Sequence, residues 1–360
     1  MLVQAWHMYG SPEDMIFVQL EHRGYGRSLS PDEDQTVPSY VRIDQVLSDG
    51  HRVQETLKPE FPGPWMVAGY SYGGSLALWY ADAFPQDVRV VLASSAAVDF
   101  PFTSDSWDRY LRKYYGEKGY GRLAEHVQNL RPASRFDNAW LARRFVAGLA
   151  ATIPQRQSFD RYKPLLSFFS RLPTSWFVRS TKWVEGIVNG GRGQEQLRWT
   201  ARKTVTRADA LTGDLSLRVW RYQQCTETGL FHVSSEVDGI FPESEKEIRD
   251  ECRALFGIEP AKPLTGRKSP REILDLSKVP VIYVEGGEDP SAGVLHDSGH
   301  RLLKGRYFFV PDGRHCPDRA DTDVGRKVLA EMLRFARMQE RPNLSAVRPK
   351  FLGSFVGLAS

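Results

Sequence analysis

The segment Gly69-Tyr70-Ser71-Tyr72-Gly73-Gly74 sets a serine between two glycines, each two residues away. A serine hydroxyl attacks an acyl carbon only when a base takes its proton and the backbone holds it clear of its neighbours. The flanking pattern meets the second need. Trp65-Met66-Val67-Ala68 reads as a buried strand and Ser75-Leu76-Ala77-Leu78-Trp79-Tyr80 as a helix. Strand, G-x-S-x-G and helix form the setting of a nucleophile elbow, a turn so tight that little side chain fits beside the serine. The following helix points its first N–H groups at any oxyanion formed there, which makes the Tyr72 N–H the expected donor. The chemistry implied is acyl transfer through Ser71.

Such a serine needs a histidine base, and the histidine needs a carboxylate to orient it. After an elbow the chain order is serine, acid, histidine. That order excludes His7, His22 and His51 and leaves His126, His232, His296, His300 and His315. Active-site side chains of open parallel sheets sit just past the carboxyl ends of strands. The strand-like run Val279–Glu285 is followed by Gly286-Gly287-Glu288-Asp289-Pro290, and Tyr307–Val310 by Pro311-Asp312-Gly313-Arg314-His315. Asp289 and His315 are therefore the economical pair. Glu288 stays open as the orienting acid, and Asp289 alone would also suit a turn before Pro290. His296 and His300, four residues apart, read as the surface of a helix.

Further strand-like runs lie at Met15–Leu20 and Val88–Ala93, and helix-like stretches at Tyr40–Leu57, Ser75–Phe84 and Val324–Arg337. Alternating strands and helices predict an α/β architecture with a mostly parallel sheet. Between residues 101 and 275 the texture changes. Trp107, Tyr110, Tyr114, Tyr115, Trp140, Phe168, Phe169, Trp176, Phe177, Trp183, Trp199 and Trp220 fall among Arg-rich helical segments. This predicts one helical insertion whose aromatics mostly pack helices, a minority lining a substrate cleft. The expected organisation is a first core segment over 1–100 carrying the elbow and the insertion over 101–275. A second core segment over 276–340 carries the Asp and His loops, and a tail follows over 341–360.

A chain of 360 residues can bury a large core. Its net charge of +4 comes from interspersed acids and bases, which excludes a nucleic-acid footprint. No apolar run reaches the ~18–20 residues of a membrane span, and no signal-peptide pattern is visible at the start. Three cysteines are too few for a disulfide scaffold, and there is no C-x-x-C or H-E-x-x-H. No metal site and no cofactor are expected.

Several segments together resemble the proline-specific serine peptidases of the Pro-Xaa carboxypeptidase and dipeptidyl peptidase II type, with the related bacterial prolyl tri/tetrapeptidyl aminopeptidases. They are Glu21-His22-Arg23-Gly24-Tyr25-Gly26-Arg27-Ser28, the elbow, Tyr222-Gln223-Gln224-Cys225-Thr226-Glu227, Asp289-Pro290 with Ser291 and Gly293, and Gly313-Arg314-His315-Cys316-Pro317. The resemblance runs from about residue 15 to 340. It implies an α/β-hydrolase fold with a helical cap, cleavage of peptides after proline, and Ser71, Asp289 and His315 as the triad. It also implies a disulfide between Cys225 and Cys252, hence an exported or lysosome-like setting; reduced thiols in a cytoplasmic chain stay open. A peptide substrate is the implied partner, and a homodimer is left open. Glu227 and Tyr70 are the candidate substrate contacts. Glu227 would anchor a substrate amine, and a structural hydrogen-bonded role for it stays open.

The departures from that pattern are specific. Trp is missing after Asp289-Pro290, and Cys316 stands where a second histidine is usual. Only one good strand precedes Trp65, and no Gly-Gly pair lies upstream of Ser71. The expected sheet therefore lacks its first strands and the Gly-rich loop that gives the second oxyanion N–H, whether by truncation or by loss. The competing readings are an esterase or lipase with the same triad and a catalytically impaired binding protein of the same fold.

Overall fold

A computed structural model describes residues 15–30, 35–100, 105–132, 136–231, 233–234, 238–241, 243–260, 264, 266–290, 305–319, 322–338 and 353–358. The chain divides into two units. One comprises Met1–His22, Ile43–Asp99 and Arg267–Ser360; the other comprises Arg23–Arg42 and Phe100–Gly266. His296, His300 and the N-terminal segment Met1–Tyr9 lie outside the described residues.

The first unit is built on strands β1 (Met15–Leu20), β2 (Trp65–Tyr70), β3 (Val90–Ser94), β4 (Val281–Gly286), β5 (Gly305–Val310) and β6 (Gly353–Leu358). They form one six-stranded sheet in the order β1-β6-β2-β3-β4-β5, parallel at every pairing. β2, β3 and β4 are buried throughout, as central parallel strands covered on both faces must be. Among the described residues four helices belong to this unit: α1 (Ile43–Leu57), α2 (Tyr72–Ala83), α3 (Pro270–Leu276) and α4 (Asp323–Met338). Met66, Ala68 and Tyr70 of β2 join Leu92, Ile282 and Val284 in a core closed by Val328, Leu329 and Met332 of α4. Strand side chains alternate between faces, and α2 packs on β2 and β3. Leu76, Ala77, Leu78 and Tyr80 of α2 are completely buried, so this helix is apolar nearly all round instead of striped.

The expected strands and helices recur with ends shifted by a few residues. The tail is the exception. Residues 353–358 form β6, which lies between β1 and β2 and sets Phe355 in register with Phe17 on one side and Met66 on the other. Gly-Ser-Phe-Val-Gly-Leu carries two glycines and weak alternation, so its strand signal is low. Backbone pairing on both sides is what makes it a strand.

The second unit is helical. Trp107, Tyr110, Phe145 and Phe177 are buried in its main core, as the aromatic-rich insertion predicts. Phe168, Trp176 and Trp183 depart from that expectation, at 59%, 61% and 56% exposed. They sit on the helices Lys163–Phe169 and Thr174–Asn189, on faces that this unit leaves open. Cys225 and Cys252 are joined by a disulfide with Cα atoms 5.8 Å apart, inside a cluster with Tyr222, Phe231, Leu255 and Phe256. Two of the sequence motifs meet here: the Tyr25 hydroxyl donates to Gln223 Oε1 at 2.7 Å. Arg218, with no exposed surface, donates to the carbonyls of Thr200, Arg202 and Thr36 at 2.9, 2.7 and 2.7 Å. Those carbonyl dipoles compensate a buried guanidinium that would otherwise be costly. Among the described residues no helix is long and apolar enough to cross a membrane.

Candidate active site

β2 ends at Tyr70 and α2 begins at Tyr72, which leaves Ser71 alone to make the turn. Its backbone sits at φ 58°, ψ −129°, a conformation costing a non-glycine residue about 1–3 kcal/mol. Hydrogen bonds hold it there: Ser71 N–H donates to the Ser94 carbonyl at 2.8 Å, and the Ser71 carbonyl accepts from Gly74 N–H at 2.9 Å. The glycine requirement is physical. A Cβ at Gly69 would lie 1.8 Å from the Gly73 carbonyl oxygen. Tyr72 is the first residue of α2, and the first four N–H groups of a helix lack intrahelical acceptors.

Asp289 and His315 come together from loops beyond β4 and β5. Gly287 N–H donates to the Val310 carbonyl and Glu288 N–H to the Gly313 carbonyl, each at 2.8 Å. That approach also needs glycine, because a Cβ at Gly286 would lie 2.3 Å from the Gly313 carbonyl oxygen. The result is a contact of 2.8 Å between Asp289 Oδ2 and His315 Nδ1, with the Asp289 side chain fully buried and that of His315 17% exposed. With Nδ1–H donating to the Asp289 carboxylate, the tautomer is fixed and Nε2 is left as the acceptor. Burial pulls the His315 pKa down, but the Asp289 carboxylate and Cys316 beside it outweigh this and hold it well above the ordinary histidine value.

A second layer, with no mark in the sequence, ties the elbow to the histidine loop. Ser71, Ser95 and Cys316 all have positive φ, at 58°, 47° and 56°, and they are linked in series. Ser71 N–H bonds the Ser94 carbonyl, and Ser95 Oγ accepts from Cys316 N–H at 2.8 Å. The Ser94 hydroxyl donates to Asp318 Oδ1. Ser94, Ser95 and Asp318 are all at most 1% exposed. Burial raises the Asp318 pKa to about 6, against the opposing pull of the Ser94 hydroxyl and Arg319.

A carboxyl raised in the folded state favours folding while protonated and loses that advantage as pH climbs from its unfolded value toward about 6. The loss is about 3 kcal/mol at 1.36 kcal/mol per pKa unit. Asp318→Asn still accepts from Ser94 but cannot ionise. Its stability relative to the parent is expected to be about 2.5 kcal/mol higher at pH 7 than at pH 4, measured by urea melts at both values. Equal differences at the two pH values would remove the buried-carboxylate reading.

Of the remaining candidates, Tyr70 is buried in the sheet core under α4, with the Arg319 guanidinium 5.0 Å from its ring centre. Glu227 lies in the π-helical turn Gln224–Thr228 of the second unit, where its carbonyl accepts from Leu264 N–H at 2.9 Å. One described group gathers possible metal ligands, His51, Glu55 and Asp87. The Lys58 ammonium already sits 3.1 Å from Glu55 and 3.0 Å from Asp87, so a cation is in place without a metal.

Comparison with known proteins adds an independent line. Residues 10–116, which span β1, α1, the elbow and α2, match the family "Serine carboxypeptidase S28". The chain is 26% identical to lysosomal Pro-X carboxypeptidase of Bos taurus, covering 86% of this chain and 71% of that protein. It is 23% identical to the thymus-specific serine protease of Mus musculus, covering 85% and 69%. Prolyl tri/tetrapeptidyl aminopeptidase of Streptomyces mobaraensis is 30% identical over 112 residues, 31% of this chain and 23% of that one. An α/β sheet with a serine at its strained elbow, matched in sequence to these peptidases, makes this chain a serine hydrolase related to the serine carboxypeptidase S28 family.

Proposed function

We propose that this chain is a proline-specific serine exopeptidase that breaks the peptide bond following a proline. The observation that carries the reading is the buried Asp289–His315 contact of 2.8 Å in the same unit as the strained Ser71 turn. His315 Nε2 takes the Ser71 proton as Oγ attacks the prolyl carbonyl carbon, and Asp289 stabilises the imidazolium. The Tyr72 N–H receives the oxyanion, an interaction worth ~10²–10³ in rate. His315 then protonates the departing amine, and a water deprotonated by the same imidazole hydrolyses the acyl ester on Ser71. Specificity for the prolyl carbonyl rests on the relatives, whose names, Pro-X carboxypeptidase and prolyl tri/tetrapeptidyl aminopeptidase, share that residue.

The test combines fluorophosphonate labelling with hydrolysis of Xaa-Pro-coumarin and Pro-Xaa peptides. Labelling and prolyl turnover that both vanish in Ser71→Ala are expected. Labelling that persists in Ser71→Ala would reject the nucleophile, whereas turnover of p-nitrophenyl acetate without prolyl substrates would point to an esterase. The general base must be neutral, and His315 holds its proton above the ordinary histidine value. The rate (kcat/KM) is therefore expected to rise with pH through a midpoint above the ordinary ~6.5. A limb complete below pH 6 would show that another group governs it.

A further inference from the structure

The helical unit carries an open cavity of about 350 Å³, within the range that takes a small organic ligand. Much of its wall is apolar, including Phe145, Leu149, Leu197, Trp220, Phe231 and Phe241. Four charged side chains also line it: Arg144, Arg221, Glu243 and Glu185. Three of them are accounted for. Arg144 pairs with Glu243 at 3.4 Å and with the buried Glu251, and Arg221 pairs with Glu251 at 3.1 Å. Two guanidiniums thus face two carboxylates.

Glu185 is the remainder. It lies on the helix Thr174–Asn189 and is 2% exposed. Its Oε1 accepts from Gly193 N–H at 2.9 Å, while its Oε2 is buried with no hydrogen-bond partner among the described residues. A buried carboxylate oxygen with no donor is a costly arrangement that a bound cation would relieve. A divalent metal fits poorly, since Ca²⁺ takes six to eight oxygen ligands and this wall is mostly hydrocarbon and aromatic. A primary ammonium needs one such acceptor and brings its own apolar body to the wall.

We propose that this cavity is a binding site for a small organic amine, with the ammonium donating to Glu185 and the hydrocarbon part packed among the aromatic walls. The site lies wholly in the helical unit and does not depend on the roles of Ser71 and His315. Its ligand class is set by the unmatched Glu185 oxygen beside a largely apolar wall.

The probe is 2-phenylethylamine, with 2-phenylethanol as its neutral isostere, titrated calorimetrically into the full chain. The amine is expected to bind saturably and the alcohol at least roughly tenfold more weakly. Glu185→Gln keeps the acceptor for Gly193 and removes the charge, so the amine should lose roughly tenfold in affinity. Gly148 lines the cavity, and a Cβ there meets nothing within 4 Å. Gly148 is exposed at the rim, so Gly148→Phe should be tolerated by the fold and obstruct the cavity mouth, weakening amine binding at least roughly tenfold, which keeps the site testable if Glu185→Gln folds poorly. Ser71→Ala should bind the amine as the parent does, separating this site from the proposed catalysis. Equal affinity for amine and alcohol, amine binding unchanged in either cavity variant, or no binding to the folded parent would each overturn the proposal.

Discussion

Replacing Asp289 with asparagine is expected to lower kcat by about 10⁴-fold with little change in KM, as loss of the orienting carboxylate does in other serine enzymes. The side chain is fully buried and touches His315 Nδ1 at 2.8 Å. An amide there removes the charge that stabilises the imidazolium and no longer dictates the tautomer. The fold should survive, because the two loops are also joined by the Gly287–Val310 and Glu288–Gly313 backbone bonds. Steady-state kinetics on a prolyl substrate, with near-ultraviolet circular dichroism as the control, would check this. A loss below tenfold would take the orienting role from Asp289 and return it to Glu288, the other acid in that loop.

The second large effect falls on stability. Gly69→Ala would place a methyl 1.8 Å from the Gly73 carbonyl oxygen and 2.2 Å from its carbon. Both are backbone atoms at the start of a buried helix and cannot rotate away. A cost of about 4 kcal/mol or more is expected, seen as lost soluble protein or as a large fall in melting temperature together with lost labelling at Ser71. Gly121→Ala is the matched control, since its Cβ meets nothing within 4 Å on the helix Glu117–Asn129. There the same change should stabilise by about 0.5–1 kcal/mol. Similar behaviour of the two variants would mean that the elbow is looser than its backbone implies.

These residues were legible for local reasons. Ser71, Asp289 and His315 each sit a few positions past a run of buried apolar residues, in turns marked by glycine or proline. Chain order and strand ends were enough to bring them forward as candidates. Ser94, Ser95 and Asp318 carry no such mark. Their roles consist of contacts across 221 to 224 positions of sequence, and no period or motif spans that distance. Positive φ is usually announced by glycine; at Ser95 and Cys316 ordinary side chains adopt it, held by the bonds around them. β6 was hidden for a related reason, because its strand character comes from two neighbours and not from its own residues. The aromatic-rich stretch marks a helical region, but residue type alone does not distinguish Trp107, buried, from Trp176, exposed.

The place of β6 sets a timetable for synthesis. β1 is the edge strand of the described sheet, and β6 is its neighbour in it. The partners of residues 15–20, at 353–358, emerge from the ribosome roughly 20–60 s after them at ~5–20 residues per second. Through that interval β1 and the flank of β2 present unpaired backbone, the kind of edge that recruits other strands. Completing this sheet is therefore a late event, one in which the last of the described strands to be made takes its place beside the first.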